Sequence, residues 1–259
     1  KGLEPLELKA RVRSVGFALR RHLASDWREA LSQMVAALPP EAPNHEGVTA
    51  HFYWWPVLDL VEQQGLGHVE ESVMALSRLT TRFSAEFAIR PYLVRAPETV
   101  WPMLESWVEH PDLHVRRWLS EGTRSRLPWG SRLAGCVSDP SRGLAILDRL
   151  VDDPSSYVRR SVANHLGDVA KDHPDRAVTA AKRWMERPER RPLVQHALRD
   201  LLKRGHSGAL GLFGAPGKLR TVDAVSLAPQ RIVTEQAVEL GADLIADQAG
   251  SIRVDVVWA

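Results

Sequence analysis

The sequence predicts a mainly α protein, an α-solenoid of two-helix repeats followed by a short β segment, on three observations. Residues 111–121, PDLHVRRWLSE, and 154–164, PSSYVRRSVAN, carry the same Pro-x-x-x-Val-Arg-Arg unit 43 positions apart. A period in the forties with a proline opening the second helix is the signature of HEAT-like units. Second, the residues four positions before Pro111, Pro154 and Pro188 are Trp107, Leu150 and Trp184, so three successive units end their first helix on a bulky apolar anchor. Third, Val158, Val162, Leu166 and Val169 form an apolar stripe at helical spacing, and Arg160, Asn164, Asp168 and Lys171 form a polar one.

Taken in order, residues 5–38 alternate apolar and charged positions at helical spacing and predict one or two helices, closed by Pro39-Pro40 and EAPNHEG. Residues 56–79 predict a helical pair around Gly65 and Gly67. A further helix is expected to open at Phe83 in FSAEFAIRPYL, and helices continue to about Arg204, stacked with a right-handed sense. Laying the second helices over one another, Val115 and Leu119 pack while Arg117, Glu121 and Arg124 are presented. Val194 and Leu198 pack while His196, Asp200 and Lys203 are presented. Glu121, Asn164 and Asp200 then fall at equivalent positions, in one row on the inner surface.

Glycines at 205, 208, 211, 214 and 217, with Pro216, read as a linker over 205–218, separating a helical domain at 1–204 from a β domain at 219–259. Val238, Leu240, Ala242 and Leu244, and Ile252, Val254, Val256 and Trp258, alternate with strand periodicity. About three strands fall short of the roughly seven that close a sandwich, so an incomplete sandwich is expected, with the chain stopping inside it. The absence of an initiator methionine agrees with a trimmed chain.

Composition excludes several functions. The chain is 44% apolar and 25% charged over 259 residues, enough for one main core. Its apolar runs are far shorter than the roughly 18 residues that cross a bilayer, and its N-terminus lacks a signal-like apolar core, so no membrane association is expected and the cytoplasm is the expected compartment. Cys136 is the single cysteine, which rules out an internal disulfide and a cysteine-rich zinc site. Pro111 separates His110 from His114, and there is no HExxH, GxxxxGK[ST] or GxGxxG motif. Neither metal nor cofactor is expected. Lys plus Arg against Asp plus Glu run 11 to 12 in residues 1–100, 21 to 14 in 101–220 and 2 to 6 in 221–259. A polyanion would be drawn to the middle third, although a charge run alone more often marks a solvated face.

FSAEFAIRPYL (83–93), VRRWLSEGTRSRLPWG (115–130) and VRRSVANHLGDVAKDHPD (158–175) resemble the AlkC-type bacterial DNA-alkylation-repair glycosylases, relatives of the AlkD-type HEAT-like repeat glycosylases. The resemblance covers roughly residues 5–205. It implies excision of cationic alkylated bases such as 3-methyladenine from double-stranded DNA by hydrolysis of the N-glycosidic bond, in a bacterial, nucleoid-associated, monomeric enzyme of base excision repair. It also implies that the damaged base stays in the stack instead of being extruded, and that the strand-patterned tail is immunoglobulin-like.

Such a reaction needs a fixed carboxylate near an oxocarbenium-like sugar. Glu121 is the first candidate, in the SEGTRSRLPWG block and close to Arg117, Arg124 and Arg126; on spacing alone, a surface ion pair with Arg117 would be the plainer reading. Asp200 is the second, by repeat alignment. Asp168 and Asp172 rank below as capping residues. Trp129 and Trp55 are candidates for contact with the base or sugar, against a background of nine tryptophans that mostly pack the core. Arg117, Arg124, Arg126, Arg160, Asn164 and Lys171 are expected at the DNA backbone, one arginine of each Arg-Arg pair facing it. The alternative function is a non-catalytic DNA-binding scaffold of the same fold.

Overall fold

A computed structural model describes residues 2–39, 51–214, 219–228 and 239–246. Two helices precede the proline break, α1 (Leu8–Arg20) and α2 (Trp27–Ala36). Asp26 starts α2 by accepting from the Glu29 backbone N–H at 3.0 Å, the usual device for an otherwise unpaired first-turn donor. The expected pair follows as α3 (Trp55–Gln64) and α4 (Val69–Leu79), joined by a 3₁₀ turn at Gly65–Gly67. Ser72 on α4 binds this layer together: its hydroxyl accepts from Trp27 Nε1 and donates to Gly65 O, both at 3.0 Å.

The helix expected from Phe83 does not form there. Residues 83–85 are irregular, 86–89 make a turn, and α5 runs only over Arg90–Arg95. Pro91 explains the difference. In a helix begun at Phe83 its ring would meet the carbonyl of Phe87 and no N–H would complete the ladder, whereas in the first helical turn neither penalty arises.

The repeats then proceed as α6 (Pro97–Ser106) with α7 (Leu113–Gly122), the short α8 (Ala134–Ser138), α9 (Ser141–Leu150) with α10 (Ser156–Asp172), and α11 (Pro174–Trp184) with α12 (Arg191–Ala197) and α13 (Arg199–Lys203). The chain is therefore mainly helical and built from helical repeats. Helices α7, α10 and α12 pack side by side, and the apolar stripes Val115/Leu119, Val158/Val162/Leu166/Val169 and Val194/Leu198 are all buried. Leu150 and Trp184 are buried as well, and Trp107 stacks on Trp118 with ring centroids 6.0 Å apart. The third unit departs from the others because its second helix breaks at Leu198, leaving Asp200 on the separate α13.

The first arginines of the two Arg-Arg pairs make the same contacts. Arg116 donates to the carbonyls of His110 and Pro111 at 2.7 and 2.9 Å; Arg159 donates to those of Asp153 and Pro154 at 2.5 and 2.9 Å. The first arginine of each pair thus folds back to close the turn that precedes its own helix, and Arg116 also grips the buried Asp153 carboxylate. First helices of neighbouring units are linked by exposed pairs such as Arg142–Glu98 and Arg149–Glu109, each worth about 1 kcal/mol or less.

The glycine-rich stretch read as a linker instead carries α14 (Ser207–Leu212). Ala209 is fully buried, and Arg191 sits over the Phe213 ring at 5.0 Å, so helical packing continues past Arg204. Beyond it, strands β1 (Leu219–Ala228) and β2 (Glu239–Ala246) pair antiparallel, with Val222 opposite Leu244. Two paired strands among the described residues do not support the incomplete immunoglobulin-like sandwich that was expected. The strand expected at 252–258 lies outside the described residues. Among the described residues no helix is long and apolar enough to cross a membrane.

Leu166→Ala should lower unfolding free energy by about 2–5 kcal/mol, and Arg149→Ala by less than about 1 kcal/mol. Urea denaturation midpoints measure both. Similar losses would contradict the division of labour between the buried apolar stripes and the exposed ion pairs that link first helices.

Candidate active site

A cleft of about 300 Å³ opens where the start of α3, the turn before α5, the end of α7 and the loop after it meet. Phe52, Trp55, Phe83, Phe87 and Trp129 form its aromatic wall, and Glu86 and Glu121 are its acidic members. Four of these rings pack on one another: Trp55 stacks on Phe87 with centroids 5.8 Å apart, and Phe52 meets Trp55 and Phe83 edge-on at 5.3 and 5.7 Å.

Glu121 lies in the last turn of α7, 6% exposed, and both its oxygens are held. Oε1 accepts from Arg124 at 2.5 Å; Oε2 accepts from the Ser161 hydroxyl at 2.6 Å and lies 3.6 Å from Arg117. Arg117 donates to Glu86 Oε2 at 2.5 Å and to the Ser84 hydroxyl at 2.6 Å, and sits over the Tyr157 ring at 5.1 Å. Arg124 continues to Asp168 Oδ2 at 2.7 Å, and Lys171 reaches Asp168 Oδ1 at 3.2 Å. The result is one chain of alternating charge: Glu86, Arg117, Glu121, Arg124, Asp168, Lys171. Burial opposes the charge on Glu121, but Arg117, Arg124 and the Ser161 hydroxyl outweigh it and hold the carboxyl below its ordinary value of 4.5. It is a carboxylate at neutral pH and a weak base, suited to stabilising positive charge rather than to taking a proton.

Behind this chain, His165 is fully buried, and burial pushes its pKa down to about 4. The neutral ring donates from Nδ1 to Ser120 O at 2.9 Å, fixing the backbone next to Glu121.

The loop over residues 123–133 is anchored by Arg90. Its guanidinium, buried and with no ion pair to a carboxylate among the described residues, donates to the carbonyls of Gly122 and Arg124 at 3.0 and 2.8 Å and to Ser131 O at 3.0 Å. Burial lowers its pKa to about 10, and the carbonyls closing the C-terminal end of α7 supply the negative end of the helix dipole. At the loop's tip Gly130 N donates to Leu127 O at 3.1 Å, closing a four-residue turn with Pro128 second and Trp129 third. Trp129 has φ 62°, the one positive φ outside glycine among the described residues. Glycine usually fills that position of such a turn. Trp129 is also 77% exposed, so an aromatic plane is held into solvent at the cleft mouth by backbone that disfavours it.

The structure brings Glu121, Trp129 and Trp55 into one cleft. Asp200 does not line it; its carboxylate is half exposed and lies 4.0 Å from Arg199. Arg117 and Arg124, expected at the DNA backbone, are drawn inward instead, where they counter the charges of Glu86, Glu121 and Asp168. Asp168, expected to be presented, is buried for the same reason. Arg126 pairs with Asp172 and keeps part of its guanidinium exposed. Arg160 is exposed, Lys171 is exposed beside Asp168, and Asn164 Oδ1 lies 3.0 Å from His196 Nε2, joining α10 to α12. Sequence reasoning missed Glu86, Phe87 and Arg90. All three lie in FSAEFAIRPYL, where a helical reading hid the turn that aims Glu86 into the cleft. Among the described residues no cluster of His, Cys, Asp or Glu could hold a metal ion.

No family model matches the sequence. YhaZ of Bacillus subtilis, an uncharacterised protein, is 38% identical over 256 residues, 96% of this chain and 68% of YhaZ. The alkylpurine DNA glycosylase AlkC of Pseudomonas fluorescens, solved bound to DNA containing an abasic site analogue, is 34% identical, with a TM-score of 0.81 over 94% of this chain and 66% of that one. The chain belongs to the AlkC-type family. It spans about two thirds of the length of either AlkC-type relative, and its helical repeats and cleft lie within the shared part.

Two outcomes follow from the geometry. Trp129→Gly should leave stability unchanged or raise it by up to about 1 kcal/mol, since a strained φ is relieved; a clear loss in thermal unfolding would mean that Trp129 packs rather than projects. Glu121 has a folded pKa below its unfolded 4.5, so its ionised contribution is complete above 4.5 and fades as pH falls through the lower folded value. Glu121→Gln should therefore be less stable at pH 7 and show a shallower loss on acidification, measured by denaturation midpoints across pH. An acid limb as steep as that of the wild type would contradict the assignment.

Proposed function

We propose that this chain is a DNA glycosylase that excises cationic alkylated bases, of the 3-methyladenine type, by hydrolysing the N-glycosidic bond in base excision repair. The observation that carries the proposal is a carboxylate kept ionised at an aromatic-walled cleft, in a chain 34% identical to a glycosylase solved on DNA. An alkylated purine that already carries positive charge is a good leaving group. The bond breaks with its electron pair passing to the base nitrogen, which neutralises the base and leaves an oxocarbenium-like deoxyribose. Glu121 stabilises that sugar and orients a water, which adds to C1′ and releases its proton to solvent. Because its pKa is depressed, Glu121 works through charge and orientation rather than as a strong base.

The aromatic wall suits a cationic or sugar ligand, with Trp55 on the wall and Trp129 at the mouth. Arg126, Arg160, Lys171 and Asn164 are the groups proposed for the DNA backbone, with Arg117 and Arg124 acting through Glu121. Asp200, outside the cleft, is retained only as a second carboxylate that bound DNA could bring near. The enzyme is proposed to act as a monomer.

Release of methylated base from alkylated duplex DNA by wild type and Glu121→Gln tests the proposal, with thermal unfolding run in parallel to confirm that the variant is folded. A loss of about 10²–10³-fold in the rate is expected, with DNA affinity kept. Equal release by both would remove the carboxylate mechanism. No release by wild type, with salt-dependent DNA binding intact, would leave a binding scaffold.

A further inference from the structure

The tip of the 123–133 loop is held from a distant part of the chain. Lys9, on the N-terminal helix α1, donates from Nζ to the backbone carbonyl of Trp129, 120 residues away. The same ammonium lies 5.1 Å from the centroid of Phe87, the ring stacked on Trp55 in the cleft wall. Lys9, Arg13 and Arg90 line, with Asp59 and Glu62, a small polar pocket of about 60 Å³ that shares Trp55 and Phe87 with the cleft, and Asp59 is paired with Arg13. Arg90 donates to the carbonyls of Gly122, Arg124 and Ser131, on either side of the tip, whereas the tip carbonyl of Trp129 is taken by Lys9. The carbonyl that Lys9 engages belongs to Trp129, whose φ of 62° a tryptophan adopts only when its surroundings enforce it.

We propose that Lys9 is a positioning residue that holds Trp129 projecting at the cleft mouth, and so makes the N-terminal helix part of the DNA-reading surface. This rests on the glycosylase reading only for its effect on turnover. The hold itself is a property of the free protein. The ammonium binds the peptide carbonyl rather than the ring, so it restrains the backbone turn and leaves the indole face open to a ligand. The aromatic contact with Phe87 keeps the flexible lysine stem from exchanging its carbonyl partner for water.

Hydrogen exchange in the full chain decides the structural half. Lys9→Met should speed exchange in peptides covering 126–131, where the Gly130 N–H closes the turn, and Lys9→Arg, which keeps charge and donor, should restore protection. Base release decides the functional half. Lys9→Met should slow it about tenfold, the scale of effect of a misplaced contact, whereas in a Trp129→Ala background the same substitution should cost little more. If exchange at 126–131 is unchanged, the proposal fails. If Lys9→Met costs the same factor with or without Trp129, and removes one unit of salt dependence from DNA binding, Lys9 contacts a phosphate instead. Should wild type release no base, exchange alone still decides whether Lys9 holds the turn.

Discussion

The site depends on one chain of alternating charge, buried at its centre, running from Glu86 through Arg117, Glu121 and Arg124 to Asp168 and an exposed Lys171. Burying a single carboxylate costs several kcal/mol, and a lone Glu121 would respond by binding a proton. Two guanidiniums and a hydroxyl reverse that tendency. Each guanidinium in turn needs a second carboxylate, which the turn before α5 and helix α10 provide. The same contacts that keep Glu121 charged therefore also fix three separate segments around the cleft, and the charge in the cleft and the local fold share one set of interactions.

Around that chain the structure holds a loop in a shape its sequence resists. Arg90 satisfies carbonyls at both ends, Lys9 satisfies one at the tip, and between them Trp129 occupies a conformation normally left to glycine. A tighter steric limit operates at the start of the loop: a Cβ on Gly122 would lie 2.7 Å from Ile89, so only glycine lets α7 end against the segment that carries Arg90. Local strain at the mouth and close packing behind it are compatible because the packed helices over-determine the loop's ends.

What the sequence made legible was whatever helical periodicity controls. The stripe Val158, Val162, Leu166 and Val169 is buried as its spacing requires, and the anchors Leu150 and Trp184 fall where the prolines place them. Glu121 was legible through its block. Its neighbours were not, because spacing gives the face of a helix on which a residue lies but not what covers that face. Asp168 shares the polar stripe of Arg160, yet Arg124 reaches it from a loop 44 residues away and it is buried. Glu86 was hidden by a helical reading that Pro91 defeats. Arg90 carried no signal, since a buried arginine satisfied by carbonyls looks in sequence like any surface arginine. Asp200 was placed by a repeat alignment that fails where the third unit's helix breaks at Leu198.

The central claim is that Glu121 is held ionised inside the cleft by Arg117 and Arg124. Carboxyl carbon NMR of the folded chain, titrated with acid and assigned by Glu121→Gln, reads it directly. A midpoint below 4.5 is predicted; a midpoint at or above the ordinary glutamate value would contradict the account.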